Sequence, residues 1–289
     1  MLQTLKILIT GGGSGIGAAL AKHLSTLGHS VIICGRRRER LEQVASTNSG
    51  IRHHVCDVSN ENSVATFADF VGKQFDALDV LINCAGLQGE IGRFDRTDSK
   101  KWKETFEINV YGTYLVTKHL LPLLLKSKIK KILNFAGGGA FGNFPNYSAY
   151  AISKAAVVRF TENSAEELAG LGVQINCVAP GFVATDIHRA TLEAGEEVVG
   201  EGYYRFTREK MKKGSVPLDL VVKCILFLIS PESNGLSGKT ISASFDKWGA
   251  DVFRASIKEI MNSDLYTLRR MNLVNLDPKD ELRVRLTDL

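Results

Sequence analysis

Short apolar runs, each followed by a longer stretch of helical pattern, constrain this chain more than anything else in it. Lys6–Ile9, Val31–Cys34, Arg52–Cys56, Val80–Asn83, Lys131–Phe135, Gln174–Val178 and Lys239–Ala243 read as strands. Between them, Ile16–Leu27, Arg38–Ala45, Val64–Phe75, Trp102–Leu125, Ala149–Leu168 and Leu218–Ile229 repeat apolar residues at helical spacing. Strands joined through helices imply right-handed parallel crossovers, so the expected fold is α/β, a doubly wound, mostly parallel sheet with helices on both faces. The unbroken apolar character of ILIT, VIIC and VLIN fits strands buried on both sides.

At 289 residues and 44% hydrophobic content the chain can bury a full core, and no linker or repeat divides it. A net charge of +5, spread along the chain, gives no nucleic-acid surface. The apolar runs Leu120–Leu125 and Val221–Ile229 are too short to span a membrane and are broken by Pro122 and Lys223. The N-terminus enters a strand and a glycine loop at once and does not read as a signal peptide. Five cysteines without metal-finger or Cys-x-x-Cys spacing argue for free thiols in a reducing, cytoplasmic compartment, and no metal site is expected.

The segment Thr10-Gly-Gly-Gly-Ser-Gly-Ile-Gly17 follows the first strand and opens the first helix. Glycines there let backbone amides approach a pyrophosphate, and the helix N-terminus adds donors and positive dipole. The end of the second strand should then select the cofactor. An acid would bond a ribose 2′-hydroxyl, whereas the sequence gives Cys34-Gly35-Arg36-Arg37-Arg38, with Arg36 placed for a 2′-phosphate. NADP(H) is favoured over NAD(H).

Tyr150 and Lys154 lie four apart in a predicted helix and so share a face. An ammonium over a phenol favours the phenolate and would bring the tyrosine toward proton exchange near neutral pH.

These segments, with Asp57, Asn83-Cys-Ala-Gly86, Asn109 and Pro180-Gly181, occur in an order and spacing that resembles the short-chain dehydrogenase/reductase family over about residues 5–245. The resemblance implies a seven-stranded Rossmann sheet in the order 3-2-1-4-5-6-7. The cofactor would cross the C-terminal ends of its strands and contact Gly11, Gly12, Gly13, Ser14, Gly15, Ile16, Gly17 and Arg36. It further implies Asp57 and Val58 at the adenine, and Asn83, Ala85 and Gly86 at the central sheet and adenosine ribose. Pro180, Gly181, Val183 and Thr185 would line the nicotinamide side. Tyr150 would be the general acid/base, Lys154 would hold the nicotinamide ribose and lower the tyrosine pKa, and Asn109 would anchor a proton-relay water. A homodimer or homotetramer acting on a small carbonyl or alcohol is also implied.

Two features depart from that pattern. The family usually carries a serine 13 positions before the tyrosine, and that position is Gly137, within Asn134-Phe-Ala-Gly-Gly-Gly-Ala140. Loss of such a donor typically costs about 2.7–4 kcal/mol of transition-state stabilisation. Backbone amides of Gly138 or Gly139 would replace it, or Ser148 would reach in, although a helix cap suits Ser148 better. The chain also continues for about forty residues beyond the last strand, dividing it at 245 into a catalytic domain and an extension, 246–289, with a helical pattern over Val252–Met261.

The polar segment Asp186–Gly214 would form short helices covering the site, and its His188, Arg189, Tyr203, Tyr204 and Arg205 would suit a polar or anionic substrate such as a sugar-derived carbonyl. The expected function is hydride transfer between NADP(H) and a secondary alcohol/carbonyl pair. The alternative is a dinucleotide-binding sensor or scaffold with degenerate catalysis, which the missing serine motivates.

Overall fold

In the central strands, neighbouring residues bury on opposite sides of one sheet. Ile7 and Ile9 of β1 (Lys6–Thr10) join Ile33 of β2 (Ser30–Gly35) in one core. Leu8 and Ile32, from the same strands, enter the other. A computed structural model describes residues 4–270. Seven strands form one sheet in the order β3-β2-β1-β4-β5-β6-β7, every pairing parallel. The others are β3 (Ile51–Val55), β4 (Val80–Asn83), β5 (Lys131–Phe135), β6 (Gln174–Ala179) and β7 (Thr240–Ser242). The first core packs the sheet against α1 (Gly15–Thr26), α2 (Arg38–Ala45) and, later in the chain, the apolar helix Leu218–Ile229. The second packs it against α3 (Glu61–Gln74) and the helical segment after β4.

That segment, expected as one helix from Trp102, begins at α4 (Ser99–Phe106), widens into a π-helical turn over Glu107–Tyr111 and resumes as α5 (Gly112–Leu125), which keeps Pro122 inside it. Asn109 sits in the wide turn. Such turns cost regular hydrogen bonding and occur mostly where a side chain must be aimed. The tyrosine–lysine helix is α6 (Ser148–Glu167).

The expected cover forms as a short turn, Asp186–His188, followed by α7 (Arg189–Ala194), α8 (Glu196–Val199) and α9 (Glu201–Lys213). After α10 (Leu218–Ile229) and β7, the expected C-terminal helix is split at Ser256 into α11 (Asp251–Ala255) and α12 (Ile257–Met261). Phe253, Ile257 and Ile260 bury in the same core as α10. The Tyr266 carbonyl accepts from the β7 amide of Thr240 at 2.8 Å, so the described part of the extension lies on its own sheet. The rest of the expected extension, 271–289, lies outside the described residues. Among those described, no helix is long and apolar enough to cross a membrane.

Candidate active site

A cleft of about 1150 Å³ runs over the C-terminal ends of the strands, from the glycine loop to α9. At its cofactor end the chain turns tightly. Gly11 takes a φ of +68°, and a Cβ there would stand 2.8 Å from the Ala85 Cα, so only glycine lets β1 and β4 end side by side. Thr10 Oγ1 accepts from the Ala85 amide at 2.9 Å and fixes that approach. Gly11, Gly13, Ser14, Gly15, Ile16 and Gly17 line the cleft. Gly12 instead packs on Ile33, where a Cβ would be 2.5 Å away.

Arg36 and Arg37 both line the cleft. Arg36 pairs loosely with Glu104 at 3.6 Å, an exposed pair of little energetic weight. Arg37 donates to Ser14 Oγ at 3.4 Å, and Arg40 pairs with Asp186 at 2.8 Å. The structure therefore brings a second arginine to the glycine loop. Sequence analysis had placed only Arg36 at a 2′-phosphate.

Asp57 lines the cleft and does not cap α3. Its Oδ1 accepts from the amide and hydroxyl of Ser59 at 3.0 and 2.7 Å, while Asn60 caps the helix. Val58, Ala85 and Gly86 also line the cleft. Asn83 faces away from it. Its Nδ2 donates to Thr117 Oγ1 at 3.0 Å and to Asn134 Oδ1 at 2.9 Å, and Asn134 passes the chain on to Thr161. Pro180, Gly181, Val183 and Thr185 line the opposite wall, with Thr185 against the glycine loop, where a Cβ on Gly15 would meet it at 3.5 Å.

At the centre stand Tyr150 and Lys154. The Lys154 ammonium lies 5.7 Å from the centroid of the Tyr150 ring, and it donates to the Phe135 carbonyl at 3.1 Å. Burial pushes the phenol well above the usual tyrosine value, with Tyr203 adding to it, and pulls the Lys154 ammonium down. Desolvation, rather than Lys154, sets the direction of the tyrosine shift, with the ammonium bonded to the Phe135 carbonyl.

Asn109 is buried, with its amide fully engaged. Nδ2 donates to the Leu87 carbonyl and to Ser153 Oγ, both at 2.9 Å, and Oδ1 accepts from the Leu87 amide at 2.9 Å. These contacts clamp the strand end beside Gly86.

Gly137 explains the missing serine in spatial terms. A Cβ there would lie 2.4 Å from Tyr150 Oη and 3.0 Å from Lys154 Cγ. The space a serine side chain needs is filled by the tyrosine itself. Among the described residues, the amides of Gly137, Gly138 and Gly139 have no acceptor within bonding distance, and Gly137 and Gly138 line the cleft. Ser148 neither caps α6 nor reaches the cleft, because its Oγ accepts from Trp102 Nε1 at 3.0 Å.

Sequence reading missed a buried chain that ties the cover down. Tyr147 donates to Thr191 Oγ1, and Thr191 donates to Gln88 Oε1, each at 2.9 Å. Gln88 sits two residues past the Asn83–Gly86 motif, the one hint the sequence held. The charged residues proposed for an anionic substrate behave differently. Arg189 pairs with Asp186, Arg205 pairs with Glu196 and Glu201, and neither lines the cleft.

A profile of the short chain dehydrogenase family matches residues 5–195. The chain is 31% identical over 251 residues to a 3-oxoacyl-[acyl-carrier-protein] reductase of Aquifex aeolicus, an alignment covering 83% of this chain and 96% of that one. Among solved structures, it resembles an actinorhodin polyketide ketoreductase crystallised with NADPH, at a TM-score of 0.74 and 26% identity over 82% of this chain and 95% of that one. An NAD+-bound xylitol dehydrogenase gives the same TM-score and identity over 82% and 96%. The chain belongs to the short-chain dehydrogenase/reductase family and is an NAD(P)-dependent oxidoreductase of that family.

Proposed function

We propose that the protein is an NADP(H)-dependent oxidoreductase that interconverts a carbonyl compound and a secondary alcohol, with Tyr150 as the proton donor and acceptor. The carrying observation is that Tyr150, Lys154 and Gly137 meet in the same cleft as the glycine loop. A nicotinamide dinucleotide bound there would supply or accept the hydride. The loop Gly11–Gly17 and the start of α1 would hold its pyrophosphate, and Arg36 with Arg37 its 2′-phosphate. Asp57 and Val58 would meet the adenine, Ala85 and Gly86 the adenosine ribose, with Asn83 bracing the sheet beneath them. Pro180, Gly181, Val183 and Thr185 would flank the nicotinamide, and Lys154 its ribose.

The Tyr150 phenol, protonated at neutral pH, would give its proton to a carbonyl oxygen as the hydride arrives at carbon. The free amides of the Gly137–Gly139 turn would hold that oxygen in place of a serine hydroxyl. Asn109 would act as a positioning residue through Leu87.

Solved relatives bind NADPH in one case and NAD+ in another, so the NADP(H) preference rests on the arginines and the lack of an acid after β2. A cytoplasmic setting is supported by the five free cysteines, and a homodimer or homotetramer by the family resemblance.

The test follows NADPH absorbance across a carbonyl panel, with NADH alongside, for the wild type and Tyr150→Phe. Turnover should fall roughly 10²–10⁴-fold in the variant with NADPH affinity unchanged. Tight NADPH binding by a wild type that reduces nothing on the panel would favour the sensor reading instead.

A further inference from the structure

Aromatic side chains form the substrate side of the cleft. Phe144 meets the Tyr150 ring edge-on at 6.4 Å between centroids and the Tyr203 ring at 4.8 Å. Tyr203 and Phe206, three apart on α9, stack at 5.8 Å, and Phe206 meets Phe182 edge-on at 5.5 Å. One turn of α9 therefore extends an aromatic wall from the proton donor across the mouth of the cleft.

Several of these rings are left partly in water. Phe206 is 42% exposed, Phe141 54% and Phe245 86%, and all three line the cleft. Large aromatic faces at a concave mouth are unsatisfied until something apolar covers them.

Charge is arranged the other way. Among the described residues lining the cleft, Arg36, Arg37, Arg40 and Asp57 belong to the cofactor end. Asp186 is paired with Arg40 and Arg189, and Asp246 accepts from the Ser242 amide at 2.6 Å. His188 stacks on Phe182 at 3.8 Å, and burial holds it neutral at pH 7. Among the described residues lining the cleft, the remaining cation is Lys154, which donates to the Phe135 carbonyl, while Lys210, outside the lining, holds its ammonium over the Phe206 ring at 5.8 Å. A polyol would meet the rings of Phe144, Phe182 and Phe206 over much of this side, with Gln88, His188, Tyr203 and the Gly137 and Gly138 amides as the polar groups there.

We infer that the substrate is an uncharged ketone, or its alcohol, on an apolar ring skeleton, with the oxygen at Tyr150 and the ring system against Phe144, Tyr203 and Phe206. This rests on the oxidoreductase reading and narrows it. It also differs from the polar, sugar-like substrate expected from His188, Arg189, Tyr203, Tyr204 and Arg205.

The experiment compares kcat/KM with NADPH for camphor and cyclodecanone against dihydroxyacetone, erythrulose and acetoacetate. Titration calorimetry of the same compounds into the NADPH-loaded protein runs in parallel. Ring ketones should be preferred by at least tenfold, as roughly one or two buried methylenes' worth of discrimination would give. Phe206→Asn and Phe141→Asn, both at exposed positions, should raise KM for the ring ketones about tenfold and leave NADPH affinity unchanged. A preference for the polar compounds would overturn the substrate class and leave the oxidoreductase reading standing. Binding of ring ketones by a protein that turns over none of the five compounds would support the apolar site and overturn the proposed carbonyl reduction. Absence of ring-ketone binding, in a protein that binds NADPH, would overturn the inference.

Discussion

The hydroxyl of Tyr150 rests against the backbone of Gly137, so closely that a Cβ at that position would stand 2.4 Å from it. Position 137 and the tyrosine thus compete for one volume. Glycine at 137 leaves room for the phenol where it stands.

Restoring the serine should therefore harm the enzyme. Gly137→Ser would push Tyr150 aside, and displacement of about 1 Å at a reacting group costs on the order of 10² in rate. The expected outcome is a kcat/KM reduced roughly 10²-fold, with NADPH affinity intact by fluorescence titration. Activity equal to or above wild type would show that the site accommodates a serine after all.

Cofactor preference should move with Arg36. A charge-assisted hydrogen bond to phosphate is worth about 1.5–3 kcal/mol, so Arg36→Asp should weaken NADPH roughly 10–100-fold and improve NADH. Removing Arg37 as well, which sits at Ser14 in the glycine loop, should deepen the loss. Steady-state KM values for both cofactors decide it, and unchanged NADPH affinity in the double variant would exclude both arginines.

Asn109→Ala removes the clamp on Leu87. Three hydrogen bonds disappear and both main-chain groups of Leu87 lose their partner, a loss of about 2–3 kcal/mol. Thermal unfolding should shift down by roughly 4–10 °C. A drop in kcat beyond the loss of folded protein, measured well below the new midpoint, would reflect misplacement of the Gly86 segment.

Burial pushes His188 down to about 4, below its ordinary value of 6.5, and its Nδ1 is buried without a partner among the described residues. Below pH 6.5 the unfolded chain takes up a proton here that the folded chain refuses. Stability from this group is therefore fully present above that pH and is lost as pH falls toward 4, by at most about 3 kcal/mol. Denaturant midpoints between pH 4 and 7 should fall toward acid in the wild type and fall less in His188→Leu. Parallel curves for the two proteins would remove His188 as the cause.

The strands were legible in the sequence because a parallel sheet buried on both faces writes itself as unbroken apolar runs such as ILIT and VLIN. The glycine loop was legible for a similar local reason, since Gly11 at positive φ admits no other residue cheaply. The Tyr150–Lys154 pair needed only helical spacing. What the sequence could not show was where those groups stand relative to residues far along the chain. Asn109 read as a relay residue, and only the fold shows that its amide also holds Leu87 and Ser153. Ser148 looked like a cap until Trp102, 46 positions away, bonded it. Arg189 and Arg205 looked like anion binders until acids on the surface of the cover paired them. Local propensity and spacing identify which residues bear chemistry and on which element each lies. Which partner each one meets depends on long-range packing, where burial and competing hydrogen bonds settle the outcome. That packing alone set Tyr150 into the space at Gly137 and turned the rings of α9 toward it.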